Sequence, residues 1–166
     1  MNELTYAPAA NDEDYKEVYA LAAEIWQVAY KDIISQEQID YMLPMMYAPA
    51  VIAREIREGV VYEFVLDGDK RIGFMSFGPH GDGEMKLHKL YLLPSYHDHG
   101  VGSEMLQHVI AAVRAKGAQR LILNVNKQNS RAIKAYKRND FTVLADVKNA
   151  IGSSFYMDDY VMGLEL

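Results

Sequence analysis

A chain that sets two β-type runs on either side of one helix has few ways of returning to its own sheet. Residues 85–126 do this with MKLHKLYLL, a turn holding Gly100 and Gly102, a helical-period segment from Val101 to Lys116 stopped by Gly117, and the buried-type run LILNVN. Two strands joined by a crossover helix lie parallel in one sheet, and such crossovers are almost always right-handed. Along MKLHKLYLL a period of two puts Leu87, Lys89 and Tyr91 on one face and Lys86, His88, Leu90 and Leu92 on the other.

The flanking segments set this unit in a larger sheet. Val18, Leu21, Ala22, Ile25, Trp26 and Ala29 recur at helical spacing behind Asn11 and three acidic residues, which predicts an amphipathic helix over 12–30. Ser35 with Gln38 has the form of a capping box opening a short helix through Leu43. Pro49 to Glu58, followed by Gly59, reads as a third helix. VVYEFVL and RIGFMSF flank Asp67-Gly68-Asp69 and predict a hairpin over 60–77, with GPHGDG as a loop after it. A short basic helix, Asn129–Arg138, precedes two closing strands, Phe141–Lys148 and Phe155–Leu164, around Ile151-Gly152-Ser153. The expected fold is α/β: a mixed, mostly antiparallel sheet with a central parallel pair and helices on both faces. With 166 residues and no repeat or linker, a single domain spanning 1–166 is expected.

Composition removes several functions. The absence of cysteine excludes a disulfide, a thiol nucleophile and a thiolate metal site. A net charge of −6 argues against a nucleic-acid partner, which calls for a basic face. No apolar run approaches the roughly 20 residues of a membrane span, and the acidic opening MNELTYAPAANDED lacks the form of a signal peptide. The expected location is the cytoplasm, with no membrane partner. His97 and His99 fall short of the three or four convergent ligands of a zinc site, so no metal is expected.

The turn PSYHDHGVGSEML ends a strand and opens a helix. Backbone N–H groups there lack intrahelical partners and the helix dipole favours an anion. Gly100 and Gly102 allow a pyrophosphate to approach the backbone closely. A dinucleotide fingerprint would place a third glycine where Met105 stands, and a P-loop would need Gly-Lys-Ser/Thr, so neither applies. Taken alone, the turn is equally a plain connection or a phosphate cradle.

The later segment NVNKQNSRAIKAYKRNDF adds a second half. Asn129 and Tyr136 stand two helical turns apart on one face. Lys127, Arg131, Lys134, Lys137 and Arg138 make a basic patch on an acidic chain, which suits a small phosphorylated ligand or, more plainly, a solvated helix face. Pro94-x-x-His97-x-x-Gly100-x-Gly102, followed by Asn129-x-x-Ala132-x-x-x-Tyr136 and Phe141, resembles the GNAT superfamily of N-acetyltransferases. The ending SSFYMDDYVMGLEL is similar to small bacterial members that acetylate polyamines or other small amines.

The resemblance implies acetyl-CoA as cosubstrate, bound where the parallel strands splay. It implies pantetheine contacts with the backbone of Tyr91 and Leu92 and pyrophosphate contacts with the N–H groups of His99, Gly100, Val101, Gly102 and Ser103. Asn129 would position the arm, and Tyr136 would protonate the departing thiolate without a covalent enzyme intermediate. A tyrosine, protonated at neutral pH, is chemically suited to that task. Attack also requires a neutral amine. Some relatives carry a glutamate on the strand before the glycine loop, where this chain has Lys86 and His88. His88 is the expected base, with deprotonation through bulk water, or by Glu84, as alternatives.

The resemblance places acceptor contacts on the first helices and last hairpin, at Trp26, Tyr30, Tyr156 and Tyr160, although aromatics at such places are more often simply core. The acceptor would be a small-molecule or peptide amine, and a homodimer is an admissible assembly. A CoA-binding sensor without turnover, or use of another acyl group, are the competing functions. Two positions depart from the family pattern. Asp140 replaces a glycine, and His97 replaces the usual Gln or Arg, so CoA affinity is expected to weaken as pH rises through about 6 to 7.5.

Overall fold

The computed structural model describes residues 2–166. In chain order its elements begin with β1 (Leu4–Pro8), α1 (Asp12–Ala29), α2 (Gln36–Tyr47), α3 (Pro49–Arg57), β2 (Val61–Asp67) and β3 (Lys70–Gly81). They continue with β4 (Glu84–Leu92), α4 (Val101–Ala115), β5 (Arg120–Asn126), α5 (Ser130–Arg138), β6 (Thr142–Gly152) and β7 (Phe155–Glu165). The strands form one sheet in the order β1-β2-β3-β4-β5-β7-β6, antiparallel everywhere except between β4 and β5. The expected mixed sheet and central parallel pair are both present.

That parallel pair is short. It holds from Glu84↔Arg120 to Leu87↔Leu123 and then stops, although both strands continue. The cause lies on the other side of β4. Ser76 of β3 faces Lys89 while the next residue, Phe77, faces Leu87, so His88 is the extra residue of a β-bulge. A bulge bends its strand and disrupts pairing, and the gap between β4 and β5 opens from that point.

The bulge also corrects the predicted faces of β4. Phe74 and Tyr91 are cross-strand partners whose ring centroids lie 5.7 Å apart, and Phe74 packs on Tyr47 of α2. Phe77, partner of Leu87, has Lys116 at the end of α4 5.9 Å from its ring. Hence Lys89 and Tyr91 share the α1–α3 side, while Leu87, Leu90 and Leu92 share the α4 side. An uninterrupted period of two cannot give this division.

Three further differences have local causes. β1 was not foreseen; it is a five-residue edge strand registered on β2 from Leu4↔Asp67 to Pro8↔Glu63. GPHGDG is mostly strand, since β3 runs through Gly81 and turns at Asp82-Gly83. α2 continues past Pro44 to Tyr47, because burying Met42, Leu43 and Tyr47 outweighs the lost N–H bond. Asn11 and Ser35 cap α1 and α2 as read from sequence, at 3.0 and 3.1 Å to the N–H groups of Asp14 and Gln38. Gln38 does not complete a capping box: its amide donates to the Tyr156 carbonyl at 2.9 Å and ties α2 to the last hairpin. Asp140 adopts a left-handed φ of 71°, which aspartate tolerates where a glycine would be usual. Among the described residues no helix is long and apolar enough to cross a membrane.

Candidate active site

The parting of β4 and β5 creates a cleft of about 850 Å³. Its walls are the ends of both strands, the start of α4 and the inward side of α5. Gly100, at φ 77°, is the N-cap of α4, and the first intrahelical bond is Glu104 N–H to the Gly100 carbonyl. The N–H groups of Val101, Gly102 and Ser103 therefore precede the helical ladder. A Cβ built on Gly100 or Gly102 would meet nothing within 4 Å, so the space before this turn is open, as a phosphate-bearing group requires. Val101 turns its side chain into the core, and Ser103 Oγ accepts from Asn139 at 3.3 Å. His99 is exposed.

Tyr136 lines the same cleft from α5, its ring 5.7 Å from Phe141. Burial pushes its hydroxyl up to about 12, so it holds its proton throughout the physiological range. Asn129 lies at the cleft's end, and its side-chain oxygen accepts from Ala132 N–H at 3.3 Å, which starts α5. The basic patch is partly spent inside the protein. Lys127 pairs with Asp146 and Asp158, and Arg131 pairs with Asp98 at 2.6 Å, leaving Lys134 and Arg138 as cleft-lining cations outside ion pairs among the described residues.

His97 also lines the cleft, but its Nε2 lies 3.2 Å from the Leu92 carbonyl. The ring must donate there, so the neutral form offers only an acceptor at Nδ1, which cannot bond a phosphate oxygen. Burial and Arg131 hold its pKa below the ordinary histidine value. The expected pH window therefore moves down. Wild type should outbind His97→Ala for CoA only as pH falls below about 6.5, and calorimetry at pH 5.5 and 7.5 tests it. An equal advantage at both values contradicts the assignment.

A second cavity of about 360 Å³ opens between α1–α3 and the last hairpin. The two cavities share Tyr30, His88, Lys89, Tyr91 and Asn124, and so meet at the bulge. Tyr30 and Tyr91 join hydroxyls at 3.0 Å above Trp26, which is 1% exposed and packs on Tyr30 and Tyr47 at 4.7 and 5.7 Å. Trp26 thus lies in the core at the base of the cavity. Tyr156, 52% exposed, stands at its rim with Lys148 5.0 Å from its ring. Tyr160 lies outside this lining, with Lys127 5.6 Å from its ring. Glu84 lies at the far end of β4, bonded to His80 at 2.9 Å, and lines neither cavity.

His88 faces both cavities. The residue is exposed, and a partial loss of hydration with Lys89 and Lys86 nearby pushes its pKa down to about 4, so the ring is neutral at pH 7. Three residues of this cavity escape motif reading: Asp159, 2% exposed, Arg54 and Glu55. Burial and Asp158 raise the carboxyl of Asp159 above its ordinary range. A visible sign was present only for Asp159, a carboxylate inside the apolar run FYMDDYVM. Among the described residues no cluster of three metal-ligating side chains occurs.

A family model described as the acetyltransferase (GNAT) family matches residues 15–141. An uncharacterised N-acetyltransferase of Mycobacterium tuberculosis is 29% identical over 92% of this chain and 98% of its own length. A spermidine N(1)-acetyltransferase of Thermoplasma acidophilum is 26% identical over 88% and 91%. Among solved structures, the PaiA N-acetyltransferase of Thermoplasma acidophilum in complex with coenzyme A superposes with a TM-score of 0.83 at 23% identity, covering 99% of each chain.

Proposed function

The chain belongs to the acetyltransferase (GNAT) family, and from that premise we propose that residues 1–166 form one cytoplasmic N-acetyltransferase domain passing an acetyl group from acetyl-CoA to a small amine or a peptide amino group. The observation that carries this is the meeting of two cavities at the β4 bulge, one floored by a glycine turn and the other lined by titratable side chains. Direct transfer needs two substrates side by side, and a lining shared by both cavities supports that arrangement.

Acetyl-CoA supplies an acetyl group already activated as a thioester. The N–H groups of Val101, Gly102 and Ser103 hold its pyrophosphate, with Lys134 and Arg138 on the rim. The backbone of Tyr91 and, through its N–H, Leu92 lies along the unpaired edge of β4, where the pantetheine arm runs; the Leu92 carbonyl is taken by His97. Asn129 acts by starting α5, which aims Tyr136 into the cleft. Tyr136 gives its phenolic proton to the leaving sulfur. His88, neutral at pH 7, stands where it can relay the proton of the incoming ammonium to solvent; with a pKa of about 4 it is a much weaker base than the amine, so it serves as a relay and does not hold the proton. Tyr30 and Tyr156 frame the acceptor.

The test is thiol release from acetyl-CoA against a panel of amines. Saturable release with at least one amine, dependent on enzyme, is the expected result. Acetyl-CoA binding without turnover on any amine would favour a sensor, and no binding would remove the reading altogether.

A further inference from the structure

The acceptor cavity carries a charge pattern that acetyl transfer alone does not require. Besides His88 and neutral tyrosines, its ionisable lining consists of the cations Arg54, Lys86 and Lys89 and the carboxylates Glu55 and Asp159, an excess of one positive charge. Of the carboxylates, Glu55 is in an ion pair and, among the described residues, Asp159 is not. Glu55 accepts from the Tyr62 hydroxyl and lies 3.6 Å from Lys89 Nζ, which itself donates to Tyr62 at 2.9 Å. Asp159 is buried, with Lys86 and Lys127 as its nearest opposite charges. Among the described residues, neither Arg54 nor Lys86 has a carboxylate within ion-pair distance.

The rest of the wall is apolar and pliant. Met42, Met45, Met46 and Met157 line it with Ile34 and Val51. Thioether side chains adapt to irregular apolar shapes, so this wall suits an apolar body without fixing its outline. At about 360 Å³ the cavity has the size of a small-molecule site.

A polyamine fits this lining poorly: each ammonium beyond the reacting one would enter a space where three cations face two carboxylates and where Asp159, the carboxylate outside an ion pair, already has Lys86 nearby. We infer that the preferred acceptor is a small amine that also bears an anionic group, a carboxylate or a phosphate, which Arg54 and Lys86 hold while its apolar body lies on the methionine wall. This rests on the acetyl-transfer reading and narrows it. A guanidinium suits either anion, because its planar fork matches both.

Matched acceptor pairs test the inference by thiol release: L-methionine against 3-(methylthio)propylamine, an aminoalkyl phosphate against the corresponding amino alcohol, and spermidine beside them. In at least one pair the anion-bearing member should show a kcat/KM about 10-fold or more above its counterpart lacking the anion and above spermidine, the size of one charged hydrogen bond. The pair that responds identifies the anion. Arg54 is exposed, so its replacement leaves the core intact. Arg54→Gln should shrink the preference and Arg54→Glu should invert it toward spermidine. As a readout without turnover, the N-acetyl form of the preferred acceptor should raise the melting temperature of wild type and not of Arg54→Glu. Spermidine or amines lacking an anion turned over as well as the anion-bearing ones, or a preference unmoved in both Arg54 variants, would overturn the inference. No thiol release with any amine would instead overturn the transfer reading beneath it.

Discussion

Replacing Tyr136 with phenylalanine is expected to lower kcat about 100-fold or more, the lower end of what a positioned proton donor contributes, while acetyl-CoA binding stays nearly unchanged. The ring is half-buried in the cleft wall against Phe141, and phenylalanine keeps that packing. What is lost is the hydroxyl, which makes no hydrogen bond to the protein among the described residues and is therefore free for a ligand. Its pKa of about 12 sets a second expectation: the wild-type rate shows no downturn from loss of this proton below about pH 10. Steady-state thiol release for kcat, with calorimetric titration of acetyl-CoA, separates chemistry from binding. An unchanged kcat in the phenylalanine variant would remove Tyr136 from the reaction. A loss confined to KM would make it a binding residue only.

The second large effect falls on stability. Trp26→Ala is expected to cost about 3–5 kcal/mol, as removal of a buried tryptophan generally does, against a total of roughly 5–15 kcal/mol for a typical domain. The indole is 1% exposed and contacts Tyr30, Tyr47 and Tyr91, with ring centroids at 4.7, 5.7 and 6.1 Å. Among the described residues its Nε1 has no hydrogen-bond partner, so the loss is one of packing. Tyr156→Ala is the contrast. That side chain is 52% exposed, so its removal should move stability by no more than about 0.5 kcal/mol. The same change should raise the KM for the acceptor. Urea unfolding of both variants, followed by acceptor kinetics on Tyr156→Ala, distinguishes a core tryptophan from a rim tyrosine. Equal unfolding midpoints for Trp26→Ala and wild type would contradict the packing described.

Much of the fold was legible because its signals are local. The α4 segment has helical period between Gly100 and Gly117, and the flanking runs have strand composition, so the crossover and its parallel pair followed from chain order. The glycine turn and the Asn129–Tyr136 spacing were visible as two short motifs, and the structure brings them to one cleft. What escaped was whatever depends on a partner strand or a distant helix. β1 has an ordinary sequence and becomes a strand only because β2 offers an edge. Pro44 looks like a stop until the burial of Tyr47 is counted. The faces of β4 failed at a single residue, because the bulge at His88 is a property of the β3–β4 pair rather than of either strand.

The same division runs through the site. Local pattern, read along the chain, determined the order of elements, the position of the glycine turn before α4 and the helical spacing of Asn129 and Tyr136, since turns, caps and helical spacing act within a few residues. Tertiary structure alone decided where β4 and β5 part, which histidine lies at the junction, and that Arg131, Lys127 and the Leu92 carbonyl are already occupied. It also decided the charge of the acceptor cavity, because Arg54, Lys86 and Asp159 come from α3, β4 and β7 and meet only when the sheet is assembled. Electrostatic character is a sum over neighbours in space, and a sequence records neighbours along the chain.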